Sequence, residues 1–452
     1  MEKQNVIAVF DIGKTNKKLL LFDEQMKVVE QREDKFPTTT DEDGFECDDI
    51  EIIEQWLMFS IKNLLKEGKY SVKALNFSTY GASLAFLNKE GERLTPIYNY
   101  LKEIDTSIQD KLFERYGGES EFCRQTASPA LGLMLNSGIQ LLWFKQKYPE
   151  LAKEVEAVLH FPQYLSYLFT NKISSEPTSI GCHTFMWDFD NMQYHRWVKD
   201  EGLKLPEPVN NDTVYPAIVK GKEIKTGVGI HDSSASLVPY IDNSKDKFIL
   251  VSTGTWCISM NPYNDEPLTS EQLMSDCLCF LTPQKQQVKS SRLFMGYFHE
   301  KLVEKLNVHF GADADYFKTI PYQPELIQLL KNKYQDAKCF FPLGIKGFDE
   351  GINEIDLSGF KDFDEAYTQM VIELTSLCIE SIALIIPEND ETEVLYVSGG
   401  FARNPIYIKL LADHFSSKKV FTSEIDNASA LGAALVIADQ LDGFDKTKIQ
   451  LT

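Results

Sequence analysis

Basic residues are scarce in this chain: 46 Lys and Arg stand against 67 Asp and Glu in 452 residues, a formal net charge of −21. So acidic a surface excludes broad recognition of nucleic acid or of an anionic membrane, since both need basic patches. It does not exclude a nucleotide, because Mg2+ and backbone N–H groups hold phosphates locally. Long hydrophobic runs are also missing. The longest apolar stretch, around residues 375–387, is interrupted by Glu380 and is too short to span a bilayer. Residues 1–5 lead straight into a strand-like run at 6–10, so no signal peptide is expected. Cysteine is sparse, eight in all, and only Cys277 and Cys279 lie close together. A single C-x-C without a second pair or a nearby His is weak ground for a metal. All eight read as reduced thiols of a cytoplasmic protein.

What is present is ordinary globular material, with 43% apolar residues and 25 glycines. The length suggests two or three domains, each able to bury a core. Apolar runs and helical periodicities alternate, which points to an α/β architecture. Strands are expected at 6–11, 18–22, 74–78 and 84–87, and helices at 48–67 and 138–147. A less regular stretch, rich in Pro, Asn and aromatic residues, runs from 174 to 226. Residues 242–247 are wholly polar, and a new buried strand starts at Phe248, which makes this the best boundary between two halves. The second half opens as the first does, with a strand, a Gly/Thr turn and a strand, so that 251–260 is a distant echo of 10–22.

Three glycine turns follow buried strands. Ala8 through Thr15 nearly spells a P-loop, but the leading Gly is absent and residues 9–12 suit a strand. The sequence after Lys17 alternates like a second strand. The expected structure is therefore a β-hairpin whose tip, Gly13, Thr15, Asn16 and Lys17, offers N–H groups, a hydroxyl and lysines to an anion. Seen alone, it reads first as a plain hairpin with a solvated basic tip. Asp11, at the strand's end, is placed to bind a phosphate-bound Mg2+ through water. The second turn, Thr253-Gly254-Thr255, allows close backbone approach to a phosphate. In the third, Gly399-Gly400 precedes Asn404-Pro405, a good N-cap and first helical residue, and suits a flat ring or a phosphate. An ordinary tight turn between strand and helix remains the alternative.

The candidate catalyst is Asp232, in Gly227-Val228-Gly229-Ile230-His231-Asp232-Ser233-Ser234. A hydroxyl is a poor nucleophile, and one carboxylate within hydrogen-bond reach can take its proton as a bond to phosphorus forms. In isolation, an Asp-Ser-Ser is first of all a helix cap. A helix N-terminus also favours the ionised form and weakens the base. His231 is either a hydrogen-bonding partner of a substrate hydroxyl or a satisfied histidine in a turn.

Together, in this order, these pieces resemble the FGGY family of carbohydrate kinases over nearly the whole chain. The small-residue run at 428–434 is similar to that family's C-terminal helix. The resemblance implies the duplicated ribonuclease H-like, actin-like ATPase fold, with two lobes and a cleft. Residues 1–243 would form the N-terminal lobe, carrying the sugar site, the first phosphate motif and the catalytic aspartate. Residues 244–452 would form the C-terminal lobe, carrying the second phosphate motif and the adenosine site. ATP and Mg2+ are the implied cofactors, with Thr15, Thr253, Gly254 and Thr255 at the phosphates and Gly399, Gly400 and Asn404 near the adenosine. Asp232 would be the base, and Gly81, Ser83, Tyr100 and His231 would face the sugar. The implied partner is a small sugar, with no nucleic acid or membrane and with room left for a homodimer.

The runs at 231–235 and 161–170 look most like the rhamnulokinase and fuculokinase branch, which implies phosphorylation of a ketose. Two departures bear on the sugar pocket: Gly81-Ala82-Ser83 where that branch tends to carry Gly-Val-Asp, and Tyr100-Leu101-Lys102 where Tyr-Arg-Asp is expected. They leave the substrate open. They also keep a second class in view, an actin-fold sugar-binding or regulatory protein without kinase turnover.

Overall fold

The structure is a computed structural model that describes residues 3–203, 205–335, 338–423 and 425–451. The chain forms two compact units. The first comprises Met1–Ser244, Asp265–Val288 and Asp426–Leu451, and the second is chiefly Lys245–Asn264 and Lys289–Ile425. A single boundary at 243/244 was expected. The opening segment ends at Ser244, and two later segments also fold with the first unit.

The sheet of the first unit contains β1 (Gln4–Ile12), β2 (Lys17–Phe22), β3 (Val28–Asp34), β4 (Tyr70–Thr79), β5 (Val214–Val219), β6 (Lys222–Gly227) and β7 (Ile230–His231). Their order is β5-β6-β4-β1-β2-β3, with β7 also on β4. β1, β2 and β3 pair antiparallel, whereas β4 lies parallel to β1 and β7 parallel to β4. In β1, residues 6–10 are all fully buried. An apolar run without alternation marks a strand covered on both faces. On one face Phe10 stacks on Phe77 at 6.1 Å, and both join a cluster with Ile53, Leu57 and Ile61 of the helix Ile50–Glu67 and with Leu165 and Phe169 of the helix Phe161–Thr170. On the other face Asn76, paired with Val9, donates to the Ala433 carbonyl at 2.7 Å. That carbonyl belongs to the small-residue helix Ala428–Ala438. This helix packs on the helix Asp232–Asn243 at Gly432, where a Cβ would lie 1.9 Å from the Ala235 carbonyl. The small side chains at 428–434 thus serve helix-to-helix contact. Leu281 draws in the other late segment: it joins Ile180 and Trp187 in a buried cluster, and its carbonyl accepts from Ser234 Oγ at 2.8 Å.

The second unit repeats the pattern with β8 (Phe248–Thr253), β9 (Cys257–Asn261), β10 (Gln287–Leu293), β11 (Val394–Gly399) and β12 (Lys419–Ser423). These run β10-β9-β8-β11-β12, with β10, β9 and β8 antiparallel and β11 and β12 parallel. Order and direction match β3-β2-β1-β4-β7, so the distant echo read in the sequence is a repeated topology. The helix Phe363–Ala383 buries Met370, Val371 and Leu374 and packs on Met295–Phe310 and Pro405–His414.

The stretch read as irregular, 174–226, contains the β5–β6 hairpin. Pro216 obscured it, yet β5 is an edge strand, where the missing N–H is tolerated. Among the described residues no helix is long and apolar enough to cross a membrane. The eight cysteines form no disulfide.

Candidate active site

In the first unit the β1–β2 hairpin closes as expected, with Ile12 opposite Lys17 and Gly13 N–H donating to the Asn16 carbonyl at 2.9 Å. Thr15 is exposed at the tip. Lys17 is not. Its side chain is 2% exposed and its ammonium donates to Asp48 at 2.8 Å and to the Lys14 carbonyl at 2.9 Å, which removes it from any phosphate. Asp48 also accepts from Lys14 Nζ at 3.2 Å and from Tyr80 Oη at 2.6 Å. Burial opposes its charge, but the Lys17 and Tyr80 hydrogen bonds and both lysines hold the carboxyl below its usual range. Lys18 turns to Asn427 Oδ1 at 3.0 Å.

Asp11 and Asp232 come together where β1 and β7 end. Ser429 Oγ donates to Asp11 at 3.0 Å. Burial raises the Asp11 carboxyl to about 6 and the Asp232 charge adds to this, against Ser429, Lys18 and Ser78. Asp232 is the first residue of its helix, and His231 occupies the N-cap position without a side-chain capping bond, so Asp232 is not the N-cap considered for it. Asp232 Oδ1 accepts from the Ser233 N–H at 2.6 Å and lies 3.3 Å from His231 Nε2. Although 38% of the side chain stays exposed, desolvation by the surrounding protein raises its carboxyl to about 6, against the Ser233 bonds. The helix terminus was expected to favour the anion and weaken the base; burial outweighs it.

Gly81, through His231, and Tyr100 lie near this carboxylate. Gly81 leaves room for His231: a Cβ at position 81 would sit 2.8 Å from His231 Nε2. Ser83 Oγ is buried with no hydrogen-bond partner. Tyr100 packs edge-on to Tyr80 at 6.0 Å with Lys14 Nζ 5.4 Å from its ring centre. Its hydroxyl is pushed up by burial and by the charges of Asp232 and Asp48. Lys102 is elsewhere, with its ammonium on Asp41 at 2.5 Å and Asp43 at 2.6 Å.

The sequence reading missed two histidines. His160 and His183 gather with His231, so three of the seven in the chain meet at one place. Burial lowers His231 to about 4 and His160 to about 3, which keeps both rings neutral. His183 Nδ1 is 2.8 Å from the Leu135 carbonyl. Cys182, His183 and His231 each bring a ligand atom within 4.8 Å of the others, a grouping no local motif announced. A neutral imidazole can both donate to and accept from hydroxyl groups.

The second unit holds its candidate residues at the end of β8, in the β8–β9 turn, and from the end of β11 to the start of the helix Pro405–His414. The turn closes with Gly254 N–H on the Trp256 carbonyl at 2.9 Å, leaving Thr255 exposed. Thr253 Oγ1 is committed to the protein: it donates to the Ser398 carbonyl at 2.5 Å and accepts from Phe401 N–H at 3.0 Å. Gly399 has φ +86°, and a Cβ there would be 1.9 Å from the Thr253 carbonyl, so glycine is required. Asn404 caps the helix Pro405–His414 as expected, accepting from Ile406 and Tyr407 N–H, and its Nδ2 donates to Tyr367 Oη at 3.0 Å. Gly400 and Asn404 open onto a cavity of about 500 Å³ lined also by His299, Phe317, Ile320, Tyr367 and Phe401. The aromatic lining was not foreseen, because His299, Phe317 and Tyr367 come from separate stretches of chain.

Paired repeats of a hairpin-led mixed sheet, with a desolvated aspartate heading a helix in one and a capped Gly-Gly elbow in the other, define an actin-like ATPase fold. More particularly, the chain belongs to the FGGY family of carbohydrate kinases: residues 6–236 match the family's N-terminal domain and 365–439 its C-terminal domain. It is similar to a rhamnulokinase of Yersinia pestis (strain Pestoides F), 25% identical over 239 residues, which cover 51% of this chain and 47% of that protein. The match thus spans about half the length of that curated relative. Among solved structures, a carbohydrate kinase from Novosphingobium aromaticivorans superposes with a TM-score of 0.80 at 22% identity, covering 97% of this chain and 92% of the other. A xylulose kinase from Lactobacillus acidophilus does so at 0.75 and 15%, covering 98% and 91%.

Proposed function

We propose that the protein transfers the terminal phosphoryl group of ATP to a hydroxyl of a small sugar, a ketose or deoxyketose such as L-rhamnulose or L-fuculose, with Asp232 as general base. The reading rests above all on one observation: a carboxylate raised to about 6, 3.3 Å from a neutral histidine and near enough for its charge to act on the Tyr100 hydroxyl. A base with a pKa near the working pH is largely ionised yet still able to keep a proton. The new bond joins the sugar oxygen to the terminal phosphorus, the bond from that phosphorus to the bridging oxygen breaks, ADP leaves, and the hydroxyl proton passes to Asp232. Because phosphoryl-transfer transition states are loose, Asp232 chiefly orients the hydroxyl and takes its proton late.

Gly81, Ser83, Tyr100 and His231 bind the sugar in this reading. The turn residues Gly13, Thr15 and Asn16, and separately Gly254 and Thr255, offer groups to the phosphates. Gly399, Gly400 and Asn404 stand at the adenosine, whose flat ring suits the aromatic cavity. Asp11 fits Mg2+: a hard oxygen donor beside a second carboxylate, with only the Lys18 charge acting against the pair, is what that ion neutralises. Held there through water, it would supply positive charge to the phosphates. The rhamnulokinase likeness supports a deoxyketose, and the altered Gly81-Ala82-Ser83 step makes the sugar an experimental question. The test is ADP release with L-rhamnulose, L-fuculose, D-xylulose and no sugar. Sugar-dependent release is expected with one ketose; turnover indifferent to sugar would overturn the proposal.

A further inference from the structure

Glu176 lies outside the residues assigned above, yet it is 0% exposed, and the groups that act on its carboxyl among the described residues include no cation. Five donors surround it instead. One oxygen accepts from Thr178 N–H and Thr178 Oγ1, each at 2.7 Å, and from Asn211 Nδ2 at 2.8 Å. The other accepts from Ser179 N–H at 2.7 Å and Gln163 Nε2 at 3.3 Å.

Three of these side chains reach onward to a single stretch of backbone. Gln163 Nε2 donates to the Val228 carbonyl at 3.1 Å, Asn211 Nδ2 to the Gly229 carbonyl at 3.3 Å, and Thr178 Oγ1 accepts the His231 N–H at 3.0 Å. Each bond direction follows from the proton count. The single hydroxyl proton of Thr178 goes to Glu176, which leaves a lone pair for His231. Each amide nitrogen has two protons, one for the carboxylate and one for the loop. Only a group that accepts at every position can sit at the hub. A glutamine there would turn an NH2 toward donors. The loop needs such holding, because Gly229 has φ +84° and is pressed on Pro162, where a Cβ would lie 2.7 Å from the Pro162 carbonyl oxygen.

We propose that Glu176 is a positioning residue for Asp232: through Thr178, Asn211 and Gln163 its carboxylate holds residues 228–231, and so sets where the next residue's carboxylate lies. The proposal rests on reading Asp232 as the base. A displacement of about 1 Å at a reacting group can lower a rate by roughly 10²-fold.

The test compares Thr178→Val, which keeps shape and loses the link to His231, with Thr178→Ser, which keeps the hydroxyl, and with Glu176→Gln. Hydrogen exchange of peptides spanning residues 226–236 is measured alongside steady-state kinetics on the sugar identified by the ketose panel. In Thr178→Val, local exchange should quicken at least about tenfold and kcat should fall about tenfold or more, with sugar and ATP KM within about threefold. Thr178→Ser should restore both readouts. Unchanged exchange at 226–236 in a folded Thr178→Val protein overturns the proposal, as does faster exchange with an unaltered kcat. If Glu176→Gln does not fold, the Thr178 pair decides. Absence of sugar-dependent turnover in the unsubstituted protein would instead overturn the kinase reading, and the exchange arm would still decide whether this network holds the loop.

Discussion

The two units share a strand order, and each carries its candidate residues at the ends of a hairpin and of a parallel neighbour, yet the contents differ in kind. In the first unit the groups are ionisable and poorly solvated: Asp11 and Asp232 are both raised to about 6, and Asp48 is neutralised by Lys14 and Lys17. The second unit offers glycines, an amide and aromatic rings around a cavity, and the buried hydroxyls of Thr253 and Tyr367 there are already bonded to the protein. The same topology thus presents desolvated carboxylates in one copy and, in the other, a largely aromatic cavity whose charged lining residues, Lys318 and Arg403, are cations. What differs is the charge at the strand ends.

The comparison breaks most readily at Asp232. Asp232→Asn should lower turnover about 10²-fold or more, the scale of a positioned base, while ATP affinity measured by calorimetry stays unchanged. A loss of ATP affinity of the same size would merge the two roles. In the second unit, Gly399→Ala meets a carbonyl at 1.9 Å in a left-handed conformation. It should raise the ATP KM at least about tenfold and lower the melting temperature, since such strain costs about 1–3 kcal/mol before the clash is counted. It should leave the pH profile alone.

That profile belongs to the first unit. Below about pH 6 Asp232 gains its proton, so kcat/KM should drop about tenfold per pH unit, and a limb centred near pH 4 would contradict the desolvated carboxylate. Gly81→Ala should crowd His231 and raise the sugar KM about tenfold with the acid limb unmoved. The smallest effect is on stability. The folded-state pKa of Asp232 lies above the unfolded value of 3.8, so the native protein holds more protons than the unfolded chain between about pH 4 and pH 6, and stability falls as pH rises through that window. The melting temperature of Asp232→Asn should therefore exceed that of the parent protein by a margin that opens from pH 4 to pH 6 and is constant above.

Much of this was legible in order along the chain. The hairpins, the Gly-Gly elbow and the Asn404 cap are local, each spelled within about ten residues by turn and cap preferences that act on the backbone itself. Lys17 shows where such reading stops. At a hairpin tip a lysine reads as solvated, and only the fold brings Asp48, 31 residues later, to bury it. Likewise His160, His183 and His231 are separately unremarkable, and Glu176 carries no motif at all.

The sequence by itself determined the alternation of strands and helices, the repeat, the glycines that backbone conformation demands and the candidate base. Those follow from short-range sterics, hydrogen bonding and apolar periodicity. Tertiary structure alone decided which charges are paired and which are stripped of water, and that the segments 265–288 and 426–451 return to the first unit. Solvation and long-range Coulomb terms depend on what packs around a group in space, and the order of residues along a chain does not contain that distance.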